Sequence, residues 1–362
     1  MSAFRAALTI QSQAYPYDVK WADSLESITA EFKGDPKNFF FVDRNILKLY
    51  PQAFTGLAPS PRVIVFDATE ENKSYEALTP CFAELIKNGF KKDCHLLAIG
   101  GGITQDSASF IASNLYRGVR WSLAPTTLLA QADSCIGGKN SINIAGYKNM
   151  LGNFYPPRQV LISPDVLKTL SDDDIRSGLG EVVKILFVDG QPMERLTYVP
   201  TDPHKIQSDA KLSERIVLDC LKAKKRFIEE DEFDRGIRNF LNYGHTFGHA
   251  FESATHYKIP HGIGVTLGMG AAAFFAEKLD YAPAGSSVAT RRFLEPFYRP
   301  YEQQLKNLSV TDIMAAMKLD KKNTAGGKIG FVLARGPGKL EKVPLDVASQ
   351  TQPLLTEWLA SL

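Results

Sequence analysis

The chain has 362 residues, 44% of them apolar, and a formal net charge of +2. That length allows two domains of ordinary size, the near-balanced charge excludes a broad nucleic-acid surface, and no run of about 18 uncharged apolar residues offers a membrane span. Any phosphate the protein handles must therefore be met by local Lys and Arg.

The start, Met1-Ser2-Ala3-Phe4-Arg5, lacks the charged-then-apolar order of a signal peptide. Cys81, Cys94, Cys135 and Cys220 are scattered without a C-x-x-C pair. This argues against a cysteine metal site or disulfide framework and for a reducing, cytoplasmic setting.

Phe39-Phe40-Phe41-Val42-Asp43 and Val63-Ile64-Val65-Phe66-Asp67 read as buried strands ending in Asp, and Cys94-His95-Leu96-Leu97-Ala98-Ile99-Gly100 as a third. Between the last two, Tyr75 to Asn88 has helical spacing, with Leu78, Phe82, Leu85 and Ile86 on one side. Strand, helix, strand predicts a Rossmann-like α/β domain with a parallel sheet. Next comes Gly100-Gly101-Gly102-Ile103-Thr104-Gln105-Asp106, then a helical run from Ser107 to Asn114. Glycines at such a junction let backbone N–H groups approach a pyrophosphate. The G-x-G-x-x-G fingerprint is absent, and a plain tight turn is the alternative.

Trp121 to Ala124 predicts a strand leading to Pro125-Thr126-Thr127-Leu128-Leu129-Ala130-Gln131-Ala132-Asp133. A second glycine turn, Gly137-Gly138-Lys139, precedes Tyr147-Lys148-Asn149. Two lysines and an asparagine in a small polar loop suit a phosphorylated ligand; a solvated basic loop is the alternative. Near residue 165 strand-like runs thin out, which places a boundary at Ser163 to Leu167. Residues 1–165 form the α/β domain and 166–362 a mainly helical one, whose first helix starts near Ser171. Lys222 to Glu232 predicts a charged, largely solvated helix face, and Lys318 to Val332 a loop and short hairpin.

Three of the six histidines, His245, His249 and His261, lie in one glycine-punctuated stretch that follows Gly178-Leu179-Gly180-Glu181-Val182-Val183-Lys184. In helices, Glu181 and Lys184 share a face, as do His245 and His249. Glu181, His245 and one more His could close on a divalent ion, leaving a fourth position open as in a catalytic zinc site. Phe247 and Phe251 would wall such a site, or simply form core.

These stretches, with Tyr116-Arg117-Gly118-Val119, Lys148-Asn149, Asn242-Tyr243-Gly244-His245-Thr246-Phe247-Gly248-His249, His261-Gly262 and Asp320-Lys321-Lys322, fit together in order and separation. Over roughly residues 40 to 340 the chain resembles the 3-dehydroquinate synthase branch of the sugar phosphate cyclases. The resemblance implies an α/β domain holding NAD, a mainly helical domain holding zinc or cobalt, a cleft between them, and a cytoplasmic homodimer.

By matching motif, Glu181, His245 and His261 would bind the metal, and His249 would contact substrate. Asp43, Asn45, Glu70, Lys73, Gly101, Gly102, Asp106, Thr126, Thr127, Lys139, Lys148 and Thr169 would line the NAD site. Asp133, Lys139, Asn149, Lys184, Lys224, Arg238, Asn242 and one of Lys321 or Lys322 would surround the substrate, with Arg117 reaching a neighbour's phosphate. Lys139, Asn149, His249 and Arg117 would grip phosphate, and Arg238 and Lys224 a carboxylate.

The implied activity is that of a carbon–oxygen lyase in aromatic amino acid biosynthesis, the shikimate pathway. It transiently oxidises 3-deoxy-arabino-heptulosonate 7-phosphate, eliminates phosphate, returns the hydride and closes the ring to 3-dehydroquinate. Alternatives are a cyclase for sedoheptulose 7-phosphate or glucose 6-phosphate, a metal-dependent polyol or glycerol-phosphate dehydrogenase, and a silent scaffold. The chain departs from the branch at Ile263, where the pattern has Glu, at Gln105, where it has Gly, and at Asn140, where it has Thr. The first change predicts a carboxylate missing from the metal's surroundings.

Overall fold

A computed structural model describes residues 4–319 and 327–362. The chain order is β1 (Phe4–Ile10), β2 (Tyr17–Ala22), α1 (Leu25–Lys33), β3 (Asn38–Asp43), α2 (Arg44–Leu49), β4 (Val63–Phe66), α3 (Tyr75–Lys87), β5 (His95–Gly100), α4 (Gly102–Asn114), β6 (Arg120–Pro125), β7 (Lys139–Ile144), β8 (Tyr147–Phe154) and β9 (Gln159–Ile162). It continues with α5 (Asp172–Val188), α6 (Pro203–Ser208), α7 (Ala210–Glu230), α8 (His245–Ala254), α9 (His261–Lys278), α10 (Ser286–Tyr298), α11 (Glu302–Leu305), α12 (Val310–Leu319), β10 (Lys328–Gly336), β11 (Lys339–Asp346) and α13 (Gln352–Ala360).

Two compact units result: Met1–Leu170 with Lys205–Asp234, and Ser171–His204 with Arg235–Leu362. They are not the consecutive blocks 1–165 and 166–362, because α7 belongs with the first. Its apolar face, including Ile216, Val217, Leu221, Phe227 and Ile228, is buried and packs on β1 and on the turns at Ala130–Ser134 and Pro164–Thr169. The charge run ending in Glu232 is only partly solvated. Lys224 is buried, and Glu232 accepts from Ser12 Oγ at 2.6 Å and from the Gln13 N–H at 2.7 Å.

A seven-stranded sheet of order β1-β2-β9-β6-β5-β3-β4 forms the first unit's core. Only β1 is antiparallel to its neighbour; the rest run parallel. A parallel strand covered on both faces reads as a continuous apolar run, and Phe39, Phe40, Phe41 and Val42 of β3 are all buried. The helix after β5 starts at Gly102 rather than Ser107, with Gly101 as its N-cap. No proline or other breaker delays it, so Asp106 lies on the helix and not in a loop. The Lys139 and Lys148-Asn149 segments are likewise strands of the β7–β8 hairpin, not one polar loop.

In the second unit the central element is α9, apolar all round and buried for most of its length, as such a helix must be. Helices α5, α8, α10 and α13 and strand β10 pack around it. Phe247, Phe275 and Phe331 meet there with ring centroids 4.7–5.8 Å apart. The hairpin expected near Val332 is present as the longer β10–β11 pair. The candidates Asp320, Lys321 and Lys322 lie outside the described residues.

His95, opening β5, sets a pH limit on the first unit. Burial first, then the Arg120 and Arg158 cations, push its pKa down to about 4, and its Nε2 lies 2.8 Å from Ser122 Oγ. Between the ordinary value of 6.5 and about 4, the unfolded chain takes up a proton that the folded chain refuses. Stability held above pH 6.5 is therefore lost as pH falls through that window, by about 3 kcal/mol at most. Urea unfolding at both ends of the window should show a smaller loss for His95→Gln than for the parent; equal losses would refute this.

Candidate metal centre and cofactor site

In an open parallel sheet, ligands bind outside the carboxyl ends of the strands where the strand order reverses. Here the chain goes from β3 out to β4, then back past β3 to β5 and on to β6. The NAD candidates follow those ends. Asp43 closes β3, Glu70 and Lys73 follow β4, Gly101, Gly102 and Asp106 follow β5, Thr126 and Thr127 follow β6, and Thr169 follows β9.

Local bonds hold this rim in shape. The Asp43 carboxylate caps α2, accepting from the Asn45 N–H at 2.9 Å, and burial raises its pKa. Lys73 Nζ stands 2.6 Å from Asp106 and donates to Asn149 Oδ1 at 3.1 Å. Glu70 accepts from Asn143 Nδ2 at 3.0 Å, and Thr169 Oγ1 lies 2.9 Å from Tyr50 Oη. A Cβ on Gly101 would stand 2.9 Å from Thr127 Cγ2, whereas one on Gly102 would meet nothing nearer than Ser134 Oγ at 3.9 Å. The first glycine serves packing, and the second leaves the helix start open to a ligand. Asn149, expected with Lys139 at a phosphate, has its side chain beside Lys73 and Ser141 instead. Lys139 pairs with Asp234 at 2.6 Å, and Lys148 is exposed on β8.

Asp133 sits in a π turn, Ala130–Ser134, a distortion that often marks functional sites. Lys224 Nζ lies 2.7 Å from its carboxylate and donates to its carbonyl at 2.6 Å. Arg117 is exposed at a φ of 59°, between Tyr116 at 48° and Gly118 at 101°. Lys92 ties this left-handed turn down by donating to the Tyr116 and Gly118 carbonyls.

Within the second unit, α5, α8 and α9 bring the histidine stretch together. Their approach depends on missing side chains: a Cβ on Gly262 would collide with the Ser177 carbonyl, one on Gly180 with the Gly262 carbonyl, and one on Gly268 with the Gly244 carbonyl. Gly244 also has a φ of 79°, which favours glycine.

Ring nitrogens of His245, His249 and His261 fall within 4.8 Å of one another. Glu181 Oε1 lies 3.5 Å from His245 Nε2 and 3.2 Å from His261 Nε2, and its Oε2 lies 2.5 Å from Lys184 Nζ. Glu181 is 1% exposed, and neither carboxylate oxygen receives an aligned hydrogen bond. Burial opposes its charge, but Lys184 and the imidazoles outweigh burial and hold its carboxyl well below the usual range. Burial keeps His245 neutral, its pKa well below the usual imidazole value. For His261 burial acts the same way, yet Glu181 and Glu252 overcome it and raise the pKa to about 10. Arg238 is also buried, and Asn242 Nδ2 donates to the Asn239 carbonyl at 3.1 Å.

Two acids escaped the sequence reading. Asp234 is the partner of Lys139 and carries no local signal. Glu252 Oε1 stands 2.9 Å from His261 Nδ1, so a carboxylate is present beside the cluster although residue 263 is a buried Ile. Its signal was spacing: Glu252 follows His245 by seven residues and His249 by three, on one helical stripe.

Family profiles described as 3-dehydroquinate synthase N-terminal and C-terminal match residues 63–177 and 178–323. A 3-dehydroquinate synthase of Alkaliphilus metalliredigens is 33% identical over 335 residues, covering 89% of this chain and 90% of its own. One of Streptococcus pyogenes serotype M3 is 32% identical over 323 residues, covering 88% and 89%. A crystal structure of 2-deoxy-scyllo-inosose synthase complexed with carbaglucose-6-phosphate, NAD+ and Co2+ superposes with a TM-score of 0.81 at 22% identity, covering 98% and 99%.

The glycine contacts make a paired prediction on one helix. Gly262→Ala should destabilise the protein by about 1–3 kcal/mol or more through overpacking and displace His261. Gly270→Ala, where a Cβ meets nothing within 4 Å, should be neutral or stabilising by up to about 1 kcal/mol. Urea unfolding of both variants checks this, and equal effects would refute it.

Proposed function

Since the chain belongs to the 3-dehydroquinate synthase family, we propose that it converts 3-deoxy-arabino-heptulosonate 7-phosphate to 3-dehydroquinate and phosphate, using NAD catalytically and a divalent zinc or cobalt ion. This makes it a carbon–oxygen lyase. The observation that carries the reading is Glu181, an ionised, buried carboxylate without an aligned hydrogen bond, set between two imidazoles. Lys184 balances one of its oxygens, and a metal ion is the partner that suits the other, between the imidazoles. The proton that Glu181 and Glu252 favour on His261 answers the same negative charge that a dication would.

Glu181, His245 and His261 hold the ion in this reading, leaving His249 for substrate. Bound ion and NAD supply Lewis acidity at the reacting oxygen and a reversible hydride acceptor. The chain's own groups do the rest. Lys184, 3% exposed beside Glu181, keeps that acid ionised and can give a proton to a substrate oxygen as it becomes an alkoxide. Asp133 orients a hydroxyl, with Lys224 holding its carboxylate in place. Buried Arg238 offers a guanidinium to the substrate carboxylate, with Asn242 nearby in sequence.

Lys139 and Arg117 serve the phosphate. Exposed Arg117, with no ion-pair partner among the described residues, supports a homodimer in which it serves the neighbouring copy. Asp43, Asn45, Glu70, Lys73, Gly101, Gly102, Asp106, Thr126, Thr127, Lys148 and Thr169 serve NAD, and Asn149 joins them through Lys73. The four cysteines form no disulfide among the described residues, which suits a cytoplasmic enzyme.

Phosphate release from the three sugar phosphates, with NAD and zinc present, tests the substrate. Turnover should be fastest on 3-deoxy-arabino-heptulosonate 7-phosphate; faster release from glucose 6-phosphate or sedoheptulose 7-phosphate would replace that assignment. Metal analysis tests the ligand set. Glu181→Ala should lose zinc, whereas His249→Ala should keep it and lose turnover. The reverse pattern would exchange the two roles.

A further inference from the structure

We propose that Glu252 is the positioning residue of this metal centre, holding His261 so that one defined ring nitrogen is presented to the ion. The inference rests on the ligand set proposed above. His261 Nδ1 lies 2.9 Å from Glu252 Oε1, and on the other side of the ring Nε2 lies 3.2 Å from Glu181 Oε1. A proton donated from Nδ1 to the carboxylate fixes the tautomer, leaving the Nε2 lone pair for the ion and making it more basic.

The two candidate imidazole ligands differ in how they are steadied. His245 is 14% exposed, so packing confines its ring, and its Nδ1 lies 3.3 Å from the Tyr243 carbonyl. His261 is 34% exposed and stands at the first position of α9, where fewer neighbours restrain it. A charged anchor supplies the restraint that packing does not. Glu252 itself is set in place, with its side chain only 13% exposed.

Gly264 makes the room for this carboxylate. A Cβ there would lie 3.0 Å from Glu252 Cγ and 3.1 Å from Oε1, tighter than a side chain tolerates without shifting. Thus α8 supplies the acid and α9 supplies both the imidazole and the gap beside it.

Zinc affinity of the metal-stripped protein, measured by competition with a chromogenic chelator, tests the proposal without relying on turnover. Glu252→Gln, of equal size but uncharged, should bind zinc about 10-fold more weakly, and Glu252→Ala about 100-fold more weakly. Metal-free Glu252→Gln should still unfold in one cooperative urea transition, and the visible spectrum of its cobalt form should shift. Gly264→Ala, which leaves the acid but crowds it, should weaken zinc in the same direction. Parent-like zinc affinity in both Glu252 variants would overturn this inference alone. A parent that takes up no zinc would overturn the ligand set, and this inference with it.

Discussion

Where α9 passes α5 and α8, backbone meets backbone. The Gly262 Cα faces the Ser177 carbonyl, the Gly180 Cα faces the Gly262 carbonyl, and the Gly268 Cα faces the Gly244 carbonyl, with no space for a methyl at any of them. Helices with ordinary side chains pack about 8–10 Å apart, and these glycines let the backbones come closer than such side chains would allow. Closer approach lets Glu181 and His245 reach the ring of His261 at 3.2–5.3 Å. The costs of glycine inside a helix, about 1 kcal/mol each, are offset by the burial of α9 on nearly every side.

Once the helices are this close, electrostatics follows. Two carboxylates, Glu181 and Glu252, face one ammonium, Lys184, in a region sealed from water. With neutral imidazoles the cluster is one positive charge short, and a dication brings it to a net +1. Without an ion that charge is made up by a proton on His261, whose pKa the two carboxylates raise to about 10, and a dication would take the proton's place. The His245 and His261 imidazoles remain partly exposed, which leaves this side of the cluster open to a ligand.

The parallel sheet was legible because β3, β4, β5 and β6 are runs of apolar residues whose length and endings say strand. The histidine cluster was legible because few His occur elsewhere. What stayed hidden was long-range. Nothing local to α7 says that it rejoins the first unit, since an amphipathic helix advertises a face and not the surface it will cover. Asn149 reads as a phosphate ligand beside Lys139, and nothing local says that it takes a left-handed φ of 54° where the β7–β8 register shifts and accepts from Lys73. Glu252 was passed over because the motif ended at His249, although the helical stripe continues one turn further.

The three departures from the branch pattern differ in kind from the groups that do chemistry. Gln105 donates through Nε2 to the Ser134 carbonyl at 2.6 Å and accepts from Ser134 Oγ at 2.9 Å, tying α4 to the turn that carries Asp133. Asn140 is buried and donates to Ser109 Oγ and Asn153 Oδ1 at 2.9 and 2.6 Å, bracing the β7–β8 hairpin against α4. Ile263 is fully buried in α9. Two departures are therefore braces and the third is core. None falls on Glu181, Lys184, Lys224, Asp133 or the three histidines, so that set of groups can persist while the scaffold around it is rebuilt.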